Sequence, residues 1–186
     1  MKIGSEELIN DLILRTQKTL VQSKEFLHLE ESKLNHRNSP ESWSALECLE
    51  HLNLYGRFYL KEIKQQMNVN QRPSTQVFKS GILGNYFAKS MLPGTSTRKL
   101  KKMKTFSNMN PINSKLDKKV IEEFIAQQEE MLRLLETAQK KDLNNIKCGI
   151  TISKLVKLKL GDTFRFVIYH NQRHLLQAER VLNAAN

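Results

Sequence analysis

Four long stretches of this chain repeat their apolar residues at intervals of three and four, which is the spacing of one face of an α-helix. Only 7 glycines and 4 prolines interrupt 186 residues. Amphipathic helices bury their apolar faces by packing against one another, so the pattern predicts an all-α fold, a four-helix bundle with a long crossover between the second and third long helices. The predicted helices span about 5–34, 44–66 and 114–141, and a fourth begins near residue 162.

The start of the second helix is the best defined. In "WSALECLEHL", Ser44 is followed three residues later by Glu47, the spacing of a reciprocal capping box. Residues four apart share a helix face, so Glu47, His51 and Tyr55 should point in the same direction. In the third helix we expect Asp117 to take the corresponding capping-box position after Ser114.

Two connections are less regular. The stretch "FKSGILGNYFAKSMLPG" predicts a short helix, and the basic "TSTRKLKKMKTFSNMNP" after it predicts a long connection. Whether residues 95–113 cover a site is left open by the sequence. The connector "NNIKCGITISKLVKLKLGD" predicts either a short helix or an extended segment.

Size and apolar pattern place the chain in a broad class. We expect residues 1–186 to form a single domain, because this length suits one core. No run of about 18 apolar residues is present, so we expect no membrane-spanning segment and no membrane partner. Glu6, Glu7 and Asp11 interrupt the place where a signal peptide would be apolar, and Cys48 and Cys148 form no disulfide framework. These features predict a cytoplasmic protein.

The chain is strongly basic, with a formal net charge of +11 and an isoelectric point of about 9.7. Positive charge concentrates at residues 96–105. Such a balance suits nucleic acid, anionic lipid or an acidic small substrate. The lysine-rich stretches lack interleaved aromatic residues, so a solvated basic surface is favoured and a nucleic-acid partner is not expected.

Three histidines have the spacing of a site. His170 and His174 lie four residues apart, so their rings can converge on one ion, and both continue an apolar helix face. His51 lies between leucines early in another helix. Buried imidazoles need partners, and a shared metal ion is one way to provide them. The alternative is that each ring bonds a carbonyl or carboxylate group, and the spacing alone leaves both interpretations open.

The order "WSALECLEHL … YHNQRHLLQAERVL" resembles the DinB/YfiT-like superfamily. This resemblance implies a four-helix bundle with a long crossover. It also implies one divalent ion, zinc or nickel, held by His51, His170 and His174, with water or substrate in the remaining positions. Characterised relatives carry out transfer reactions with low-molecular-weight thiols, and relatives commonly form homodimers.

The leading functional hypothesis is therefore a metal-dependent hydrolase or thiol-dependent transferase acting on a small molecule, which would be anionic or a thiol. Glu47 is a candidate catalytic base, although its capping role already explains it. Tyr55 and Gln177 are candidates for lining a cleft, whereas Tyr169 and Arg173 are expected to face away. Two alternatives are a non-catalytic bundle that binds metal or a ligand, and a basic protein that binds nucleic acid.

Overall fold

The computed structural model describes residues 1–92 and 105–184, and most of this part is helical, which confirms the predicted class. The basic stretch 96–105 therefore lies outside the described residues except for Thr105. The α-helices are α1 Ser5–Glu25, α2 Glu31–Leu34, α3 Ala45–Val69, α4 Ile82–Met91, α5 Lys119–Ala138 and α6 Leu160–Ala184. The strands are β1 Lys2–Gly4, β2 Val77–Lys79, β3 Lys147–Ile150 and β4 Ser153–Lys159.

The four long helices pack against one another through their apolar faces. Helix α1 contacts α5 and α6, and α3 also contacts α5 and α6. The side chains between them are almost fully buried, and removal of this apolar surface from water is the main stabilising term of such a fold. None of the helices in the described ranges has the combination of length and apolarity that a membrane span requires.

Several predicted helix limits differ from the observed ones, including the end of α5, which is Ala138 rather than about residue 141. The first helix ends at Glu25 rather than near residue 34, because a 3₁₀ turn at Phe26–His28 redirects the chain into the short α2. Helix α5 begins at Lys119, and the Asp117 carboxylate accepts a hydrogen bond of 2.9 Å from the Lys119 N–H instead of forming a capping box. Helix α3 continues to Val69, three residues beyond its predicted end.

Two antiparallel β-ribbons accompany the helices in the described ranges; the first was not predicted, and the second lies in the connector for which an extended segment was one of two possibilities. Strand β1 pairs with β2, which brings the N-terminus beside the start of α4. Strand β3 pairs with β4 between α5 and α6, so the extended alternative for that connector is the one observed. Its alternation of lysine and apolar residues places Leu158 in the core while Lys157 faces solvent.

The first turn of α6 is anchored by a buried carboxylate. Asp162 accepts hydrogen bonds from the Gly81 N–H at 2.8 Å and from the Arg165 guanidinium at 3.0 Å, and it also accepts one from the Ser80 hydroxyl. A Cβ atom at Gly84 would lie 2.4 Å from the Asp162 carboxylate, so this glycine permits the close approach of α4 to α6. This junction sets the start of the helix that carries two of the three histidines.

Candidate metal centre

The fold brings His51 of α3 together with His170 and His174 of α6. Their ligand-capable nitrogens all lie within 4.8 Å of one another, and Nε2 of His51 lies 3.2 Å from Nε2 of His170. His51 and His170 are buried, and His174 is half-buried. The spacing of His170 and His174 on one helix, together with a facing helix, produces the cluster.

Hydrogen bonds on the outer side of two rings fix which nitrogen faces the cluster. Nδ1 of His51 lies 2.6 Å from the Met109 carbonyl oxygen, and because a carbonyl only accepts, this Nδ1 carries the proton. Nδ1 of His174 likewise donates to Oε1 of Gln177 at 3.0 Å. Both Nε2 atoms therefore present lone pairs to the cluster. Metal-binding histidines have the same arrangement of an acceptor behind the ring.

His170 distinguishes the two interpretations of the histidines. Its Nδ1 is buried and has no hydrogen-bond partner within 1–92 and 105–184. Its Nε2 faces Nε2 of His51, so His170 bonds neither a carbonyl nor a carboxylate group, as the hydrogen-bond interpretation would require. The cluster also contains no carboxylate within the described ranges. A shared ion explains the convergence of three rings better than separate hydrogen bonds, and imidazole donors fit zinc or nickel.

Burial keeps all three rings uncharged near neutral pH. Loss of solvation lowers the pKa of His51 to about 4, although the bond to the Met109 carbonyl opposes this shift. Loss of solvation and the neighbouring His51 lower the pKa of His174 to about 3. The pKa of His170 is also well below its usual range, chiefly through burial. Neutral imidazole is the form that binds a metal ion, so no proton must be displaced.

A cavity of about 1200 Å³ opens over the histidines. The indole ring of Trp43 lies 4.7 Å from the His51 ring, and the Tyr55 ring lies 4.7 Å from the His170 ring, both measured between centroids. Tyr59 and Phe166 extend this aromatic wall. An apolar cavity that contains a few convergent polar groups is the usual form of a small-molecule site.

The structure also locates the remaining candidates, Tyr55, Gln177 and Glu47, and the neighbouring thiol of Cys48. Tyr55 and Gln177 both line the cavity. Glu47 does not line it: its carboxylate accepts a 2.9 Å bond from the Ser44 N–H in the predicted capping box and forms an ion pair with Arg37. Cys48 is fully buried in the core, where desolvation raises the pKa of its thiol.

One orientation predicted from the sequence is wrong. Arg173 was expected to face away from the histidines, but it lines the cavity, because this face of α6 is wide enough to include positions 170, 173 and 174. Tyr169 does face away, with the Arg15 guanidinium 5.2 Å from its ring centre.

Three contributors to the site were missed by sequence reasoning. The ring of Trp43 lies over His51. The one sequence feature that could have indicated this contact is the position of Trp43 just before the cap of α3. The Met109 carbonyl is a backbone group, so no residue type could have indicated it. Arg180 lies three residues beyond Gln177, and this helical spacing could have placed it in the cavity.

Comparison with known proteins supplies a family and no individual relative. A family model described as the DinB superfamily matches residues 17–178, a range that includes all three histidines. No curated protein and no solved structure gives a significant match to the chain. The match covers most of the sequence and agrees with the helical fold and the histidine cluster, and we conclude that this chain belongs to the DinB superfamily.

Proposed function

We propose that the protein is a metal-dependent enzyme in which His51, His170 and His174 hold one divalent ion, zinc or nickel. The convergence of three imidazole rings, whose ligand nitrogens lie within 4.8 Å of one another, at a large cavity and without a carboxylate in the described ranges, is the observation that carries the proposal. We further infer that the four long helices form the bundle of this superfamily, with its long crossover between α3 and α5.

The chain's own residues would orient the ligands and shape the cavity. The Met109 carbonyl and Gln177 hold two rings with their Nε2 atoms inward. Trp43 and Tyr55 cover the cluster with aromatic surface, which limits access of water. When bound, the ion supplies Lewis acidity and lowers the pKa of a coordinated water or thiol. The reaction would be hydrolysis of a small molecule or transfer from a low-molecular-weight thiol.

Turnover is tested with ester, amide and thiol-acceptor substrates, assayed before and after a chelator removes metal. We expect activity in wild-type protein and in His36→Ala, an exposed-histidine control, and loss of activity after chelation and in His174→Ala. Activity that survives both chelation and His174→Ala would contradict a metal-dependent reaction at this cluster.

A non-catalytic bundle that binds metal or a ligand is the second candidate. The observation that favours it is the absence of a carboxylate from the cluster within the described residues, because hydrolysis commonly needs a general base near the metal. Glu47 is engaged by Ser44 and Arg37, so we assign it the anchoring of α3 rather than proton transfer. One bound ion without turnover on any substrate class would favour this candidate. A homodimer and a small anionic or thiol substrate remain predictions.

Loss of the acceptor behind His174 is expected to weaken metal binding. In Gln177→Ala the His174 ring loses the bond that fixes its tautomer and orientation. We expect zinc affinity to fall by roughly 10–100-fold, the usual cost of losing such a partner. Competition with a chelator measures the change, and Gln17→Ala, at an exposed position of α1, is the control. An affinity for Gln177→Ala within about twofold of wild type would remove Gln177 from the site.

A further inference from the structure

The cavity continues beyond the histidines along one face of α6. From His170 onward, five residues of α6 line this cavity, and their helical spacing puts them on one face of the helix. They are His170 and the residues three, four, seven and ten positions after it: Arg173, His174, Gln177 and Arg180. At the rise of an α-helix, Arg180 lies about 9 Å further along the axis than His174. The wall therefore carries the ring nitrogens and the Arg173 guanidinium at one end, and the Arg180 guanidinium at the other.

Arg180 is a positively charged residue of this wall whose side chain has no partner among the described residues. It is half-buried, and it takes part in no ion pair or hydrogen bond within the described ranges. A guanidinium presents donors in a planar fork that matches carboxylate and phosphate groups, and such charge-assisted bonds are among the strongest in proteins. A partly desolvated arginine facing a cavity is therefore suited to an anionic ligand.

The other charges of the cavity support the same ligand. Arg173, which is buried, adds a second positive charge to the cavity, at its histidine end. Among the described lining residues Glu41 is the one acidic residue, and it is exposed to solvent, so its charge is screened. The ring of Trp43, whose centre lies 5.7 Å from that of His174, adds aromatic surface that suits an apolar segment.

We propose that Arg180 binds the carboxylate or phosphate group of an elongated organic ligand whose reacting atom lies at the histidine cluster, about 9 Å away along α6. The position of the ligand's reacting atom rests on the proposed function, and the position of its anionic group rests on the charges of the cavity. This arrangement makes Arg180 a specificity-determining residue that selects ligands by a charge remote from the reacting atom.

The test compares two thiols of equal length, 6-mercaptohexanoate and 6-mercapto-1-hexanol, which differ in a terminal carboxylate. Binding is followed by fluorescence of Trp43, the single tryptophan of the chain and a lining residue of the cavity. Each titration is done on metal-free and on zinc-loaded protein. The variants are Arg180→Gln, Arg180→Lys and the exposed control Arg72→Gln, which makes the same change outside the cavity.

In metal-free wild-type protein we expect the carboxylate to bind about tenfold more tightly than the alcohol, which corresponds to about 1.4 kcal/mol. Arg180→Gln should bring the two affinities within about twofold of each other, whereas Arg72→Gln should keep the tenfold preference. Arg180→Lys should keep part of it, because the charge remains but the planar fork is lost.

Equal affinities in the wild type, or a full preference in Arg180→Gln, would overturn the assignment. The proposed metal site is judged separately, because zinc should tighten both thiols equally through their shared sulfur end. A charge preference without any effect of zinc would uphold Arg180 and contradict the metal centre. Tighter binding of both thiols in the presence of zinc, without a preference for the carboxylate, would support the metal centre and contradict the role of Arg180.

Discussion

Replacement of His170 by leucine is expected to abolish high-affinity metal binding and, at the same time, to raise the free energy of unfolding of the metal-free protein by about 1 kcal/mol. The Nδ1 atom of His170 is buried without a partner in the described structure. An unsatisfied buried polar group costs about 1–3 kcal/mol, and leucine fills a similar volume without that cost. Nε2 of His51 loses the His170 ring as its neighbour, but His51 lines the cavity, where water can take that place. Phe166 and Tyr55 beside it provide contacts for an apolar side chain.

Whereas His170→Leu should stabilise the metal-free protein, it should weaken the binding of zinc. Loss of a hydrogen-bond partner behind a metal ligand lowers metal affinity by up to about 100-fold. Removal of one of the three ligands itself should lower zinc affinity by more than this. Chelator competition gives the affinity, and urea unfolding without metal gives the stability. His36→Leu, at an exposed position, should change neither. If His170 were an ordinary core histidine, His170→Leu would destabilise the metal-free protein and leave zinc affinity unchanged.

Replacement of Asp162 by alanine is expected to lower the free energy of unfolding by about 3–5 kcal/mol. Asp162 is fully buried, and its partner Arg165 is only 2% exposed. Loss of the carboxylate leaves a buried guanidinium without its counter-charge and removes the acceptor of the Gly81 N–H. An uncompensated buried charge is among the most destabilising single changes in a protein.

The matched control is Asp11→Ala, which removes a carboxylate from an ion pair with Arg15 near the surface of α1. Such exposed pairs contribute at most about 1 kcal/mol, so this variant should unfold at nearly the wild-type urea concentration. A loss below about 1 kcal/mol in Asp162→Ala would show that the two remaining acceptors of Arg165 in the described structure, the Ser80 hydroxyl at 2.9 Å and Oδ1 of Asn85 at 3.3 Å, compensate for the lost carboxylate.

The features predicted from sequence are those that a short local pattern specifies. The capping box of Ser44 and Glu47 located the start of α3, and this start sets the position of His51. Helical spacing placed His170 and His174 on one face of α6. The pairing of these two helices in space came only from the resemblance to a family.

The features that were missed depend on tertiary contacts. Helical spacing continues past Glu25, but the chain turns there because Phe26 and Leu34 both enter the core. The hydrogen bond that His51 donates to the Met109 carbonyl joins residues far apart in sequence, and a backbone acceptor cannot be recognised from residue type. Arg173 was misassigned because its neighbours did not indicate how wide the cavity is.

Metal content is the most direct test of the central claim. The measurement is elemental analysis of protein purified without a histidine tag or added metal, followed by titration with zinc and with nickel. The proposal predicts one zinc or nickel ion per chain, present on purification or taken up in the titration, and none in a His51→Ala variant. Protein that contains no ion and takes up neither metal would show that His51, His170 and His174 are not a metal centre.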